Sequence, residues 1–359
     1  MVKAIFHPNK IKIYQPGINL EQYSKNFNKI DPIKLSSNEN PLGASPKSIL
    51  AAKKSLLNLH LYHDASCSRL KKMLAEINKI KENQITVGNG SENILEIISK
   101  SFLAKNDTAI VPQYVFATIP LILSTLRVKI LTISLDNWKQ NVNKTIEACK
   151  NTGKIVYIVN PGNPIGTYLT QDELKFLLKS IPKNTLVVID EAYKDYVLSS
   201  DYPDTIKLLM THKNLIITRT FSKIYGLAGL RIGYSISSQE IANILNCGKM
   251  PFNNNVVGVE AALAALSDVE HTKNSVQTNN VGRNQILTEL QKMKIEYLPS
   301  FGNFITIDLK KDAQKAAGFF LQNGIIIRPL SSYGLKSYIR VTIGKKEQNI
   351  KFLNVIKMF

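Results

Sequence analysis

Short runs of β-branched and aliphatic residues, separated by helix-length amphipathic stretches, constrain this chain more than any other feature. The runs stand at 108–112 (TAIVP), 154–159 (KIVYIV), 185–190 (TLVVID), 214–218 (NLIIT) and 230–236 (LRIGYSI). Between them, residues 91–104, 114–126, 170–181 and 204–211 carry apolar side chains at helical spacing. Strands that alternate with helices read as βαβ units. Such units build a largely parallel sheet covered on both faces, so the expected class is α/β. After about residue 250 the texture changes. A long helical stretch covers 256–294, followed by strands at 303–309, 324–328 and 338–343 and helices near 311–322 and 346–357. This predicts a second, smaller α+β domain. Pro8, Pro16, Pro32, Pro41 and Pro46 mark the opening residues as an irregular arm. The expected division is 1–44 as arm and part of the small domain, 45–254 as the large domain, and 255–359 as the small C-terminal domain.

A chain of 359 residues with 44% apolar content has enough material for two packed cores, which excludes disorder as its main state. No run of about 18 apolar residues offers a membrane span. The opening Met1-Val2-Lys3-Ala4-Ile5-Phe6-His7-Pro8 lacks the apolar core and small-residue cleavage site of a secretory signal. Cys67, Cys149 and Cys247 are odd in number and widely spaced, which predicts free thiols in a reducing compartment, the cytoplasm. His7, His60, His63, His212 and His271 include no HxxxH pair, so no metal site is expected.

The net charge of +19 raises the question of a nucleic-acid partner. The lysines are spread along the chain rather than bunched on one tail or helix face, and this favours a solvated lysine surface. Neither a nucleic acid nor a membrane is expected as a partner. Among 46 basic residues only Arg69, Arg127, Arg219, Arg231, Arg283, Arg328 and Arg340 are arginine. Where lysine is the default cation, an arginine hints at a need for the planar fork that grips carboxylate or phosphate with two bonds.

Four segments carry chemistry. In Thr218–Tyr234 a strand runs into Thr220, Ser222 and Lys223, with Arg231 eight positions beyond the lysine. The hydroxyls and guanidinium suit a phosphate, and a lysine amine can condense with an aldehyde. Without further context the segment also reads as an ordinary loop. In Val187–Tyr193, Asp190 and Glu191 end an apolar strand and point to opposite sides of it. Either acid could equally be a helix cap or a solvated strand end. In Asn160–Thr167, two Asn-Pro steps preset a turn that could hold Asn163 towards a ligand. In Val87–Glu92, glycines precede a helix start at which backbone amides could face an anion, or which Ser91 could simply cap.

Taken in order, these segments resemble the pyridoxal-phosphate-dependent aminotransferases of the aspartate-aminotransferase fold, and most closely the histidinol-phosphate aminotransferases. The match extends to Tyr14–Gly17, Leu35–Gly43, Tyr62-His63-Asp64, Pro112–Ala117, Arg328-Pro329, Tyr333–Leu335 and Ile339–Gly344. The resemblance implies transferase fold type I: a mostly parallel seven-stranded sheet in the large domain, plus the smaller α+β domain. It implies pyridoxal 5′-phosphate as cofactor. The implied reaction exchanges an amino group between L-histidinol phosphate and 2-oxoglutarate in histidine biosynthesis.

By the same resemblance, Lys223 holds the cofactor covalently and moves the proton between substrate and cofactor. Asp190 keeps the pyridine nitrogen protonated. Tyr193 and Asn163 donate to the cofactor's 3-oxygen, and Tyr114 stacks on the ring. Ser91 and Glu92, through backbone amides, join Thr220, Ser222 and Arg231 in a phosphate cup. Tyr62 reaches the phosphate from the other subunit, so a homodimer with a shared site is implied. Arg340, helped by Arg328 and Tyr14, meets the substrate's phosphate or carboxylate, and Asn163 also borders the substrate. Arg219 receives no role. The chain departs from the family's pattern at Ile165, where Thr is common, and at His63, where Pro is usual. Two readings on the same scaffold stand as alternatives: an aromatic-amino-acid aminotransferase, and a decarboxylase of phosphothreonine. A transcription regulator with an aminotransferase-like domain is disfavoured, because residues 1–45 are too short and proline-rich for a helix-turn-helix.

Overall fold

A computed structural model of the protein describes residues 32–359. Among these, the central feature is a seven-stranded sheet. Its order across the sheet is Ile85–Gly88, Gly233–Ser237, Leu215–Thr220, Leu186–Asp190, Gly153–Val159, Thr108–Pro112 and Lys129–Ile133. The last five run parallel, while Gly233–Ser237 is antiparallel to both of its neighbours. The α/β expectation therefore holds. The five predicted strands all form, within three residues of their expected limits. The last begins late because Arg231 adopts a left-handed conformation (φ 52°) after a short 3-10 turn, Ala228–Leu230.

The parallel strands are buried on both faces. Val156, Ile158, Val187, Ile189 and Ile217 face one apolar cluster; Ile155, Tyr157, Val188 and Ile216 face another. Such two-sided burial is why these strands read as unbroken aliphatic runs. Helices cap with local chemistry: Thr170 and Glu173 form a reciprocal capping box at the start of Gln171–Ser180.

A second, four-stranded antiparallel sheet orders Glu296–Tyr297, Phe304–Asp308, Tyr338–Thr342 and Arg328–Pro329. Its own core gathers Ile305, Ile307, Phe320, Ile339, Val341 and Phe352 with Leu35 of the arm. Ile33–Lys34 pairs in parallel with Ile325–Ile326 in a separate two-stranded sheet, and Ile325 joins the same core.

The expected single helical stretch at 256–294 is two helices, Val256–Ser267 and Val269–Lys292, meeting at Asp268. Asp268 ends the first and caps the second, its side chain accepting from the His271 amide. Periodicity runs on across such a break, so the pattern alone does not show it. The boundary expected at 254 leaves Val256–Ser267 with the small domain. Its Val259, Ala262 and Ala265 instead pack in the core under the large sheet. In Val269–Lys292, Ile286 and Leu290 join the small sheet's core. Among the described residues no helix is long and apolar enough to cross a membrane.

Candidate functional site

One edge of the large sheet gathers polar residues from five strand ends. Gly153–Val159 runs out into Asn160–Thr167, Leu186–Asp190 ends on Asp190, and Leu215–Thr220 leads into Ser222 and Lys223. Ile85–Gly88 leads to Gly90 and the helix Ser91–Phe102. Gly233–Ser237 runs the opposite way, so its beginning, next to Arg231, lies at this same edge. Open α/β sheets place ligands at the carboxyl ends of their strands.

A single cavity there is lined by Ser91, Glu92, Asn163, Asp190, Tyr193 and Thr220, together with Ser222, Lys223 and Arg231. Arg328 and Arg340 enter it from the small sheet. Three residues fall elsewhere. Tyr14 lies outside the described residues. Tyr62 is 85% exposed and packs on Phe252, with ring centroids 4.5 Å apart. Tyr114 lines an adjoining recess that shares Val159 with the cavity, and its ring faces Trp138 at 6.1 Å. Phe116, two residues on, is the aromatic of that segment that lines the cavity itself.

The anion-binding end is built from backbone and arginine. Gly90 (φ 85°), rather than Ser91, takes the cap position, and no side chain bonds to the amides there. A Cβ on Gly90 would stand 2.6 Å from Arg231 Nη2, and one on Gly233 only 2.4 Å from the Ser91 nitrogen. Both glycines thus let the helix start and the guanidinium close up around a small space. Arg231 donates to Ser222 Oγ (3.3 Å) and to Glu92 Oε2 (3.0 Å). The Glu92 carboxylate also accepts from the Thr118 hydroxyl at 3.1 Å. Glu92 was expected to serve through its backbone, and its side chain has this second task of holding Arg231. Helix start, hydroxyls and guanidinium together suit a phosphate.

At the other end Asp190 is 4% exposed and accepts from Thr218 Oγ1 at 3.2 Å. Burial pushes its carboxyl up to about 6, against the opposing pull of the Thr218 hydrogen bond. A buried acid so placed would be matched by a cationic N–H donor entering the cavity. Glu191 points to the far side, as strand alternation requires. There Arg219, without a role in the sequence reading, donates from Nε to Glu191 Oε2 (2.9 Å) and from Nη1 to Asn78 (2.5 Å). It is a buried structural ion pair behind the site.

Lys223 reaches between these ends. Its Nζ donates to the Ser37 carbonyl at 3.3 Å and lies 5.7 Å from the centre of the Tyr193 ring. Burial, reinforced by the nearby Arg340 charge, lowers its amine to about 8. Arg340 donates to Asn163 Oδ1 (2.5 Å) and to the Ser36 carbonyl (2.8 Å). With its oxygen so engaged, the Asn163 amide is left as a donor. Ile165 is buried against Leu298, Leu330 and Leu335, an apolar setting in which a threonine hydroxyl has no use.

Ser36, Ser37 and Asn38 also line the cavity, and sequence reasoning gave them no role. The available hint was the quoted Leu35–Gly43 motif, whose three-dimensional partners are about 150 to 300 residues away. Chemically, the arrangement can hold a phosphate at one end and a protonated ring nitrogen at the other, with a low-pKa amine between them. Arg328 and Arg340 add positive charge from the small sheet.

The family model for aminotransferase class I and II matches residues 30–356. The histidinol-phosphate aminotransferase 1 of Nitrosococcus oceani is 39% identical over 96% of this chain and 93% of its own length. The histidinol-phosphate aminotransferase 2 of Legionella pneumophila (strain Lens) is 40% identical over 96% of this chain and 95% of its own. Among solved structures, the Sinorhizobium meliloti histidinol-phosphate aminotransferase in complex with pyridoxal-5′-phosphate superposes with a TM-score of 0.89. That comparison covers 99% of both chains at 24% identity, and it shows the shared fold.

Proposed function

The chain belongs to the class I and II aminotransferase family, and on that premise we propose that it is a pyridoxal-phosphate-dependent transaminase that exchanges an amino group between L-histidinol phosphate and 2-oxoglutarate in histidine biosynthesis. The observation that carries the reading is the half-buried Lys223, its amine lowered to about 8, in one cavity with Asp190, Arg231 and Arg340. The donor set fits the cofactor: a glycine-lined cradle for its phosphate and a buried acid for its ring nitrogen. When bound, pyridoxal phosphate supplies an electron-accepting ring for the charge left on a substrate carbon that has lost its proton.

The chain's own residues do the rest. Lys223, as the free amine, would serve as the base that takes the proton from the substrate Cα and as the acid that gives it back on the cofactor side. Its lowered pKa keeps more of that amine unprotonated near neutral pH. Asp190 holds the proton on the ring nitrogen. Tyr193 and Asn163 donate to the 3-oxygen, and Tyr114, whose recess shares Val159 with the cavity, is the aromatic we assign to the ring face, with Phe116 already lining the cavity. The amides of Ser91 and Glu92, with Thr220, Ser222 and Arg231, hold the phosphate. Arg340 and Arg328 meet the substrate's own anion, which is a phosphate in histidinol phosphate and a carboxylate in glutamate. A guanidinium fork accepts either. We extend the same role to Tyr14.

Two finer assignments complete the reading: a homodimer, and a cytoplasmic location, the latter resting on three free cysteines. An apolar surface supports the homodimer. Leu57 is 79% exposed, and Leu59, Leu61, Tyr62 and Phe252 are exposed beside it in the chain or in contact. An apolar patch with Tyr62 at its edge suits a second copy whose site receives that tyrosine. Tyr62→Phe is then expected to weaken cofactor binding by roughly fivefold to tenfold, the worth of one ordinary hydrogen bond. Equilibrium dialysis measures it, and unchanged affinity would place Tyr62 away from the phosphate. Gly90→Ala is expected to weaken it more, because the added methyl meets Arg231 at a backbone conformation that favours glycine. Retained affinity in that variant would remove Gly90 from the cradle.

The test of the whole reading is a half-reaction. The protein loaded with pyridoxal phosphate is mixed with L-histidinol phosphate in the absence of any oxo acid. The visible band of the lysine-bound cofactor should convert to that of the amine form, and faster than with equal phenylalanine or tyrosine. A band unmoved by histidinol phosphate but converted by the aromatic amino acids would reassign the substrate to the aromatic class. Release of carbon dioxide from phosphothreonine would identify the decarboxylase.

A further inference from the structure

The segment Ser36-Ser37-Asn38 meets three site residues at once: Ser36 through Arg340, Ser37 through Lys223, and Asn38 through Tyr193. Asn38 is the most tightly held. It is 1% exposed, with its backbone in the left-handed region (φ 54°). Its amide nitrogen donates to Thr342 Oγ1 at 2.9 Å, and its carbonyl accepts from Asn303 Nδ2 at 3.0 Å. Both partners belong to the small domain's side of the cavity. Its side-chain Nδ2 crosses to the large domain and donates to the Tyr193 hydroxyl at 2.9 Å.

The direction of that bond matters. The Thr342 hydroxyl accepts from the Asn38 backbone and turns its own proton to Asn38 Oδ1, at 3.4 Å. The carboxamide is therefore oriented with its oxygen towards Thr342 and its NH2 towards Tyr193. A phenol oxygen has one proton and two lone pairs. With a lone pair filled by Asn38, the Tyr193 proton is not spent on that contact and is available to another acceptor.

We propose that Asn38 is a positioning residue that orients the Tyr193 hydroxyl as a donor to the cofactor's ring oxygen, and so sets the protonation of the lysine–cofactor linkage from the small-domain side. This rests on the function proposed above. A hydrogen bond donated to the ring oxygen stabilises its anionic form and draws electron density from it. The neighbouring linkage nitrogen then holds its proton less firmly. If Asn38 is removed, the phenol is free to turn, the donation weakens, and the linkage holds its proton to higher pH.

The experiment is a spectrophotometric pH titration of the pyridoxal-phosphate-loaded protein. Asn38→Gly deletes the amide while keeping the left-handed backbone accessible. Its midpoint should lie above the parent's by about half a pH unit or more, the shift expected when an ordinary hydrogen bond is lost from one protonation state. Tyr193→Phe should move the midpoint the same way. In a Tyr193→Phe background, adding Asn38→Gly should shift it no further, because the amide would have nothing left to orient. Asn38→Asp keeps the side chain's shape and supplies an acceptor that captures the phenol proton, so it should shift the midpoint at least as far. This second variant decides the matter if the glycine variant does not fold. A normal midpoint in either folded variant, or shifts that add fully with Tyr193→Phe, would overturn the proposal and leave Asn38 as a packing residue. If the parent itself shows no lysine-bound visible band, the functional reading has failed instead.

Discussion

Lys223→Ala is expected to abolish the visible absorption of the bound cofactor and to stop turnover, with residual half-reaction slower by two to four orders of magnitude or more. Two to four orders is the usual worth of a positioned acid–base group alone. Alanine also removes the covalent attachment, and that loss adds to it. Anion affinity should survive, since Arg231, Ser222 and the Ser91 helix start are untouched. A visible band at its normal position in this variant would remove Lys223 from the assigned role. The same variant carries a stability signature in the ligand-free protein. Lys223 is lowered to about 8 in the fold from the ordinary lysine value of 10.5. Between those values the unfolded chain binds more protons, so this group makes stability rise with pH across that window. The difference in melting temperature between parent and Lys223→Ala, followed from pH 7.5 to 10.5, should therefore move in the parent's favour as pH rises. A flat difference would mean that the amine is not depressed.

Asp190→Asn is expected to be the next most damaging change. Asparagine matches the size of the carboxylate and can keep a hydrogen bond to Thr218, but it cannot carry the charge that holds a proton on a ring nitrogen. Removing one partner of a buried ion pair costs about 3–5 kcal/mol. Applied to the state in which the ring takes up negative charge, that corresponds to a loss of roughly two to four orders of magnitude in rate. Single-turnover conversion of the loaded protein by L-histidinol phosphate is the measurement. The phosphate cup should still retain the cofactor. A variant that converts at close to the parent rate would show that Asp190 does not serve the ring nitrogen. Asp190 also supplies an internal comparison. Its carboxyl, raised to about 6 in the ligand-free fold, should fall once a cation lies against it.

Much of the fold was legible in the chain. The aliphatic runs ending at Asp190 and Thr220 read as strands because parallel strands are buried on both faces and need no polar alternation. The residues of the cavity were legible because they stand directly after those runs, where open sheets expose their strand ends. What was missed shares a different property. The break at Asp268 hides within one continuous helical periodicity. The strand Ile85–Gly88 is too short, and too close to Gly90, to stand out from the turn that follows it. The Glu191–Arg219 pair joins residues 28 positions apart whose only link is that two neighbouring strands face the same side. Asn38 meets Tyr193 across 155 residues and Thr342 across 304.

The sequence by itself therefore determined the α/β class and the order of the chemistry-bearing segments, because these are written in local pattern, and it offered Lys223, Asp190 and the arginines as candidates through the family resemblance. The tertiary structure alone decided which side of the strand Asp190 shares with Lys223, that Arg340 is held by Asn163 and Ser36, and that Tyr114 stands in a recess beside the cavity. It also decided that helix Val256–Ser267 packs with the large sheet. Those facts depend on contacts between residues distant in the chain. Their energies come from burial and from hydrogen bonds that exist only once the two sheets have closed on each other.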